Sequence, residues 1–250
     1  MRVIILSSGG KDSCYSVWWA LMKGWDIAAI VTVRISSDDS LMFQLPATDI
    51  AGLQSKSAGI PWIPLTVSGQ PEAEIDELES KLRNIISGED MSLPKFESKY
   101  CSELYSEPMV ISTNGPINAI VTGALRSDYQ KTRIERMANN LGIISFTPLW
   151  HHDPYEHMID LIRHGFRLQF TSVSAEGLDK KWLGKVLDSH SLTELNELAE
   201  KYRFSIDGEG GEFETTVIGS PWMNNQIEIK GDIIWFGKHG YLDIISSILC

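Results

Sequence analysis

Cysteine is scarce in this chain. Only Cys14, Cys101 and Cys250 occur among 250 residues, none of them in a C-x-x-C pair, which excludes a disulfide framework and a cysteine zinc site and leaves reduced thiols as the default. Long hydrophobic runs are missing too. No stretch approaches the ~18 apolar residues of a membrane span, and the opening run Met1–Leu6 is too short for a secretory signal, so a cytoplasmic protein with no membrane partner is expected. Basic residues are outnumbered, with 22 Lys+Arg against 33 Asp+Glu and a formal net charge of −11. Such a field repels polyanions, and nucleic acid is not expected as a bulk partner. No biased tract or internal repeat interrupts an ordinary globular composition of 43% hydrophobic and 22% charged residues. At ~150 residues per domain, one large or two modest domains are expected, with two the starting assumption.

The rhythm of the first half is strand then helix. Val3–Ser7 reads as a short buried strand, Cys14, Val17, Trp18 and Leu21 as one face of a helix that stops at Gly24, and Ala28–Ile35 as a second strand. A helix over Asp49–Ala58, a strand over Trp62–Val67 and an amphipathic helix over Glu72–Ile86 follow. Then come a strand at Ala119–Thr122, a helix at Asp128–Leu141 and a fifth strand at Ile143–Leu149. This alternation predicts an α/β fold with a doubly wound, five-stranded parallel sheet. Ser87–Pro116 has a poor pattern and reads as an insertion or flap. After Trp150 the rhythm changes: a helix at Tyr155–His164, a strand at Arg167–Ser174, a helix pair within Lys180–Tyr202, and strands at Gln226–Lys230 and Asp232–Phe236. The expected division is therefore a nucleotide-binding domain over 1–150 and a smaller α+β substrate domain over 151–250.

Where the first strand hands over to the first helix stands Ser7-Ser8-Gly9-Gly10-Lys11-Asp12-Ser13. Glycines there let backbone N–H groups approach an anion at a helix N-terminus. A helix dipole contributes ~0.3–1 kcal/mol, whereas a desolvated unpaired charge costs several kcal/mol. Lys11, the Ser8 and Ser13 hydroxyls and Mg²⁺ are therefore expected to share a polyphosphate's charge. Asp12 reads equally as a helix-start carboxylate or as the Mg²⁺ ligand. The loop is not of Walker type, because Asp12 follows the lysine and Ile5 stands where the first Walker glycine belongs.

Two further clusters stand out. Gly123-Ala124-Leu125-Arg126-Ser127-Asp128-Tyr129-Gln130, with Arg133 and Glu135, follows the strand at the expected sheet reversal, where a ligand crevice opens. Ser127 is placed to cap its helix and Asp128 lies at the helix start, so a plain capped surface helix is the competing reading. Asp207-Gly208-Glu209-Gly210-Gly211-Glu212-Phe213-Glu214-Thr215 reads as a flexible acidic loop able to bind Mg²⁺, hold ammonium or act as a base, or as a solvated turn. His151 and His152 are adjacent and read as a solvated turn rather than a metal site. His157 and His164 are seven apart, too far for an i, i+4 ligand pair.

Ser8–Ser13 resembles the PP-loop of the ATP-pyrophosphatase superfamily. Together with Ser40-Leu41-Met42-Phe43, Gly123 through Gln130, Gly165-Phe166, Gly177-Leu178, Leu183-Gly184 and Gly208 through Phe213, it resembles one branch of that superfamily, the archaeal and eukaryotic diphthine–ammonia ligases. Two positions depart from the family pattern, Gln44 and Arg126. The resemblance implies an N-terminal HUP-type domain and a smaller C-terminal domain with the active site between them. It also implies an ATP-dependent reaction in which the carboxylate of diphthine, on translation elongation factor 2, is adenylated and then amidated by ammonia, releasing AMP and pyrophosphate. Arg2 excludes an N-terminal cysteine glutaminase nucleophile, and free ammonia is the expected donor, with a partner subunit that supplies it left open.

On this reading Lys11, Glu209 and Glu212 are the catalytic candidates. Ser8, Gly9, Gly10, Lys11, Asp12, Ser13, Ser127, Asp128 and Arg133 are the nucleotide-binding candidates, and Asp12 is the metal candidate. A tRNA-modifying PP-loop enzyme and a non-catalytic HUP-type nucleotide-binding protein are the alternatives. A homo-oligomer is left open.

Overall fold

The computed structural model describes residues 1–35, 45–68, 73–88, 91–93, 98, 100–101, 104, 109–111 and 115–250. Ser40–Phe43 and Gln44 lie outside the described residues. The first sheet contains β1 (Arg2–Leu6), β2 (Asp26–Ile35), β3 (Trp62–Val67), β6 (Ala119–Thr122) and β7 (Ile144–Phe146) in the order β3-β2-β1-β6-β7. Every pairing within it is parallel. Strand order reverses between β1 and β6, so their carboxyl ends open the crevice of a doubly wound α/β sheet.

Alternating side chains of β1 feed two cores. Ile4 joins Ile63, Ile120 and Met137 beneath α3 (Ala73–Ser87) and α4 (Asp128–Asn140), while Val3 and Ile5 join Val17, Ile50 and Leu53 beneath α1 (Lys11–Met22) and α2 (Leu45–Ala58). All four residues of β6 are buried, as a central parallel strand covered on both faces must be.

The second sheet is antiparallel, in the order β10-β11-β8-β9, from β8 (Arg167–Val173), β9 (Phe213–Gly219), β10 (Ile227–Trp235) and β11 (Gly240–Leu249). It carries α5 (Pro154–Arg163) and α6 (Ser189–Tyr202). The two halves share side chains. Ile218, Ile227, Leu242 and Ile244 pack into the core beneath α1 and α2, and Cys14, Tyr15 and Trp18 of α1 pack into the core of the second half. Trp18 packs against His164 and Phe166, and Trp19 against Trp25 and Phe146, so the adjacent tryptophans serve different cores from one helix.

Several elements differ from the sequence reading. The fifth parallel strand ends at Phe146, because 148–150 form a turn around Pro148. The two late strands are one, β10, whose register against β11 shifts between Lys230 and Gly231, where Ile245 of β11 is left over. A Cβ at Gly231 would lie 2.4 Å from the Asp243 carbonyl oxygen, which explains the glycine that made the run look broken. Strands β9 and β11 were not anticipated. The expected helix pair is a 3-10 turn at Lys180–Trp182 followed by α6. Within Ser87–Pro116 the described residues include β4 (Met91–Leu93) and β5 (Met109–Ile111), paired antiparallel. Among the described residues no helix is long and apolar enough to cross a membrane.

Candidate functional site

At the carboxyl end of β1 the chain turns through Gly9, whose φ of +85 is open chiefly to glycine, and Gly10 caps α1 with no side-chain hydrogen bond. The Ser7 and Ser13 hydroxyls lie 3.0 Å apart, the Ser7 oxygen accepts from Gly9 N–H at 3.2 Å, and Ser13 donates to the Gly10 carbonyl at 3.0 Å. The far side of the turn rests on the second half of the molecule. The Gly9 carbonyl accepts from Val217 N–H at 3.2 Å, Gln54 Nε2 at 3.0 Å and Thr216 Oγ1 at 3.4 Å. Gln54 also donates to the Val217 carbonyl at 2.7 Å, linking α2, the loop and β9.

Gly123, at the end of β6, meets this turn closely. A Cβ there would stand 2.5 Å from the Asp12 carbonyl carbon and 2.7 Å from Ser13 N, so only glycine lets β6 and α1 approach as they do. Between them opens a cavity of about 880 Å³. Ser8, Gly10, Lys11, Asp12 and Ser13 line it from the loop, Ser127, Tyr129, Gln130 and Arg133 from α4 and its cap, and Glu209, Glu214 and Thr215 from the second half.

Most of the expected nucleotide-binding residues therefore share one cavity. Gly9 shapes the turn but does not line the cavity, and Asp128 is exposed away from its wall. Ser127 caps α4, accepting from Gln130 N–H at 3.3 Å. The Arg133 guanidinium lies 3.5 Å from the centre of the Tyr129 ring, close enough for cation–π attraction.

Asp12 is bound at both carboxylate oxygens. Lys11 Nζ lies 2.8 Å from Oδ2 and His157 Nε2 lies 2.8 Å from Oδ1. Burial pushes the Asp12 carboxyl up, and the adjacent Lys11 and His157 outweigh it and hold the group below its ordinary 3.8. Each Asp12 oxygen holds one partner here and keeps a second lone pair, so a carboxylate that can reach a cation stands at the loop, while among the described residues no three His, Cys, Asp or Glu gather as an all-protein metal site. In this geometry the charge of an anion is met by Lys11, hydroxyls and backbone N–H groups. Cys14, two residues further along α1, is fully buried, and burial drives its thiol far above the ordinary range.

The acidic loop is a laced turn rather than a flexible one. Asp207, fully buried, accepts from Arg126 at 2.8 Å through one oxygen, and from Ser205 Oγ at 2.6 Å and Glu209 N–H at 3.2 Å through the other. Burial pushes the Asp207 carboxyl up, and its hydrogen bonds from Ser205 and Arg126 more than reverse that, leaving it below 3.8. Arg126 also donates to the His152 carbonyl at 3.1 Å, and through Asp207 it ties the two halves together.

Glu212 is not among the cavity-lining residues. Its Oε1 accepts from Ser205 N–H at 2.9 Å, beneath Gly210. The residue sequence reasoning passed over is Glu214. At the start of β9 Phe213 is buried in the core while also bordering the cavity, and Glu214 beside it is exposed and lines the cavity. Burial raises the carboxyls of both Glu209 and Glu214 above the ordinary 4.5, with Asp12 adding to the shift at Glu209 and Lys11 opposing it at both.

Residues 1–107 match the family model described as the diphthamide synthase N-terminal domain, and residues 153–249 that of the diphthamide synthase C-terminal domain. A Danio rerio protein named diphthine–ammonia ligase is 31% identical over 236 residues, covering 92% of this chain and 86% of its own length. The Homo sapiens protein of that name is 29% identical over 235 residues, covering 91% and 82%. The Saccharomyces cerevisiae protein is 28% identical over 273 residues that take in 100% of this chain, which spans 35% of that relative's length. A solved structure described as a predicted subunit of tRNA methyltransferase from Methanocaldococcus jannaschii covers 88% of this chain and 98% of its own, at 17% identity and a TM-score of 0.42.

Proposed function

On the premise that the chain belongs to the diphthine–ammonia ligase family, we propose that it is an ATP-dependent, amide-forming ligase acting on diphthine of translation elongation factor 2. The observation that carries this reading is the joining of the Ser7–Ser13 turn and Lys11 to a cavity that Glu209 and Glu214 also line.

A carboxylate resists attack by ammonia until one oxygen becomes a good leaving group. In the proposed first step a diphthine carboxylate oxygen attacks the α-phosphorus of ATP. The bond from that phosphorus to the bridging oxygen breaks, and pyrophosphate departs with the electron pair. Lys11, the Ser8 and Ser13 hydroxyls and the N–H groups opening α1 stabilise that departing charge. Ammonia nitrogen then attacks the acyl carbon, AMP leaves, and nitrogen loses one proton. Glu209 and Glu214, raised above ordinary carboxylates, are suited to hold ammonium and to take up its proton. Arg133 and Ser127 orient nucleotide or acceptor at the α4 wall.

The test is direct. Incubation of the protein with ATP, ammonium and elongation factor 2 bearing diphthine should yield AMP, pyrophosphate and a histidine side chain converted from acid to amide. Formation of ADP and phosphate would discard the reading.

A further inference from the structure

His157, like Thr216, is a buried polar side chain that reaches the phosphate loop from the far half of the molecule, and it alone of the two bonds to a charged side chain there. It sits on α5, is 0% exposed, and places Nε2 2.8 Å from Asp12 Oδ1 across 145 residues of sequence. Its other nitrogen, Nδ1, is buried with no hydrogen-bond partner. The Tyr15 ring packs against it edge-on at 5.3 Å, and His152 lies 5.9 Å away. An apolar side chain would fill this site without stranding a nitrogen, so packing alone does not account for an imidazole here. Its hydrogen bond goes to the residue that also holds Lys11.

We propose that His157 is a positioning residue that retains Asp12 so that the Lys11 ammonium can pass to a nucleotide's phosphates. In the described state Lys11 and His157 divide the Asp12 carboxylate, one on each oxygen. When phosphate oxygens enter, Lys11 must loosen its hold on Oδ2. A carboxylate stripped of both partners in a largely buried place is strongly disfavoured, and His157 keeps one partner in position throughout. Without it, Asp12 and Lys11 form a closed pair, and the phosphates must compete for the cation.

This inference rests on the proposed function only in taking the loop to bind ATP, and its test needs no acceptor. The probe is α,β-methylene-ATP, which cannot be cleaved at the α–β position, titrated calorimetrically into the full-length protein. His157→Leu is expected to weaken binding by about tenfold or more, the range of a hydrogen bond to a charged group, with no fall in the thermal midpoint. His157→Gln, whose amide nitrogen can take the place of Nε2, is expected to stay within about threefold of the unaltered chain.

Binding by the leucine variant within about twofold of the unaltered protein, or equal losses in both variants, overturns the proposal. If the leucine variant does not fold, a loss of tenfold or more in the glutamine variant overturns it, and retained binding there supports it. No binding of the probe by the unaltered chain overturns the loop reading and this inference together. Binding that follows the expected pattern while no amide forms leaves the inference standing and the ligase reading refuted.

Discussion

The phosphate loop and the acidic turn are both rich in glycine and face the same cavity, yet they are held by opposite means. In the loop, backbone is held mostly by backbone and short hydroxyls, and its charges, Lys11 and Asp12, are paired with each other. In the acidic turn, backbone is held by carboxylates. Asp207 and Glu212 are consumed in shaping the turn, and Glu209 and Glu214 are left to the cavity. A glycine-rich string therefore says little about flexibility. What matters is which polar groups are used up in fixing the turn and which face a ligand.

The largest expected effect falls on the loop. Lys11→Ala should reduce AMP formation ~10²–10³-fold, the usual cost of removing one donor from a site of developing negative charge, measured as AMP released in the complete reaction. An unchanged rate would mean that backbone N–H groups alone carry the departing charge.

Next comes the turn. Asp207→Asn should lower unfolding free energy by ~1–3 kcal/mol, because Arg126 loses its charged acceptor, measured by urea denaturation. The pH dependence has a definite sign. Asp207 and Asp12 titrate below their ordinary 3.8 in the folded protein. Their stabilisation is present above that value and is lost as pH falls through the depressed folded values. Glu209 and Glu214 titrate above their ordinary 4.5, so their contribution is present below it and lost as pH rises through the raised folded values. Asp207→Asn should flatten the acid side of the stability profile.

The smallest effects distinguish the two glutamates of β9 and its approach. Glu214→Gln should raise the KM for ammonium several-fold, in line with ~1 kcal/mol for a hydrogen bond weakened by loss of charge, with little change in the KM for ATP. Glu212→Gln should leave both constants near their starting values and lower the thermal midpoint, since its carboxylate supports Ser205 N–H. The reverse pattern would put the working carboxylate back at Glu212, where sequence reasoning placed it.

How much of this is legible in the sequence follows from how local each feature is. The parallel sheet is legible because strands buried on both faces read as unbroken apolar runs, as in Ala119–Thr122. The loop is legible because strand, small residues and helix follow one another within a dozen positions. Strand β9 was hidden by its own approach: the glycines before Phe213 suggested a loop continuing to Thr215, although Phe-Glu-Thr-Thr-Val-Ile is a β-branched run that could have been read. The spacing of His157 and His164 gives no hint of the true partner of His157, Asp12, which stands on α1. Arg126 pairs with Asp207, 81 residues further along the chain. Pairs separated by that much chain leave no periodic trace.

The carbonyl of Gly9 has one more implication. A peptide unit is planar and trans, with oxygen and hydrogen on opposite edges, and the three donors on that oxygen clamp the whole plate. The amide hydrogen of Gly10, on the other edge, is thereby aimed before any nucleotide arrives. Part of the ordering that anion capture would otherwise demand has already been completed during folding, by a strand more than two hundred residues further along the chain.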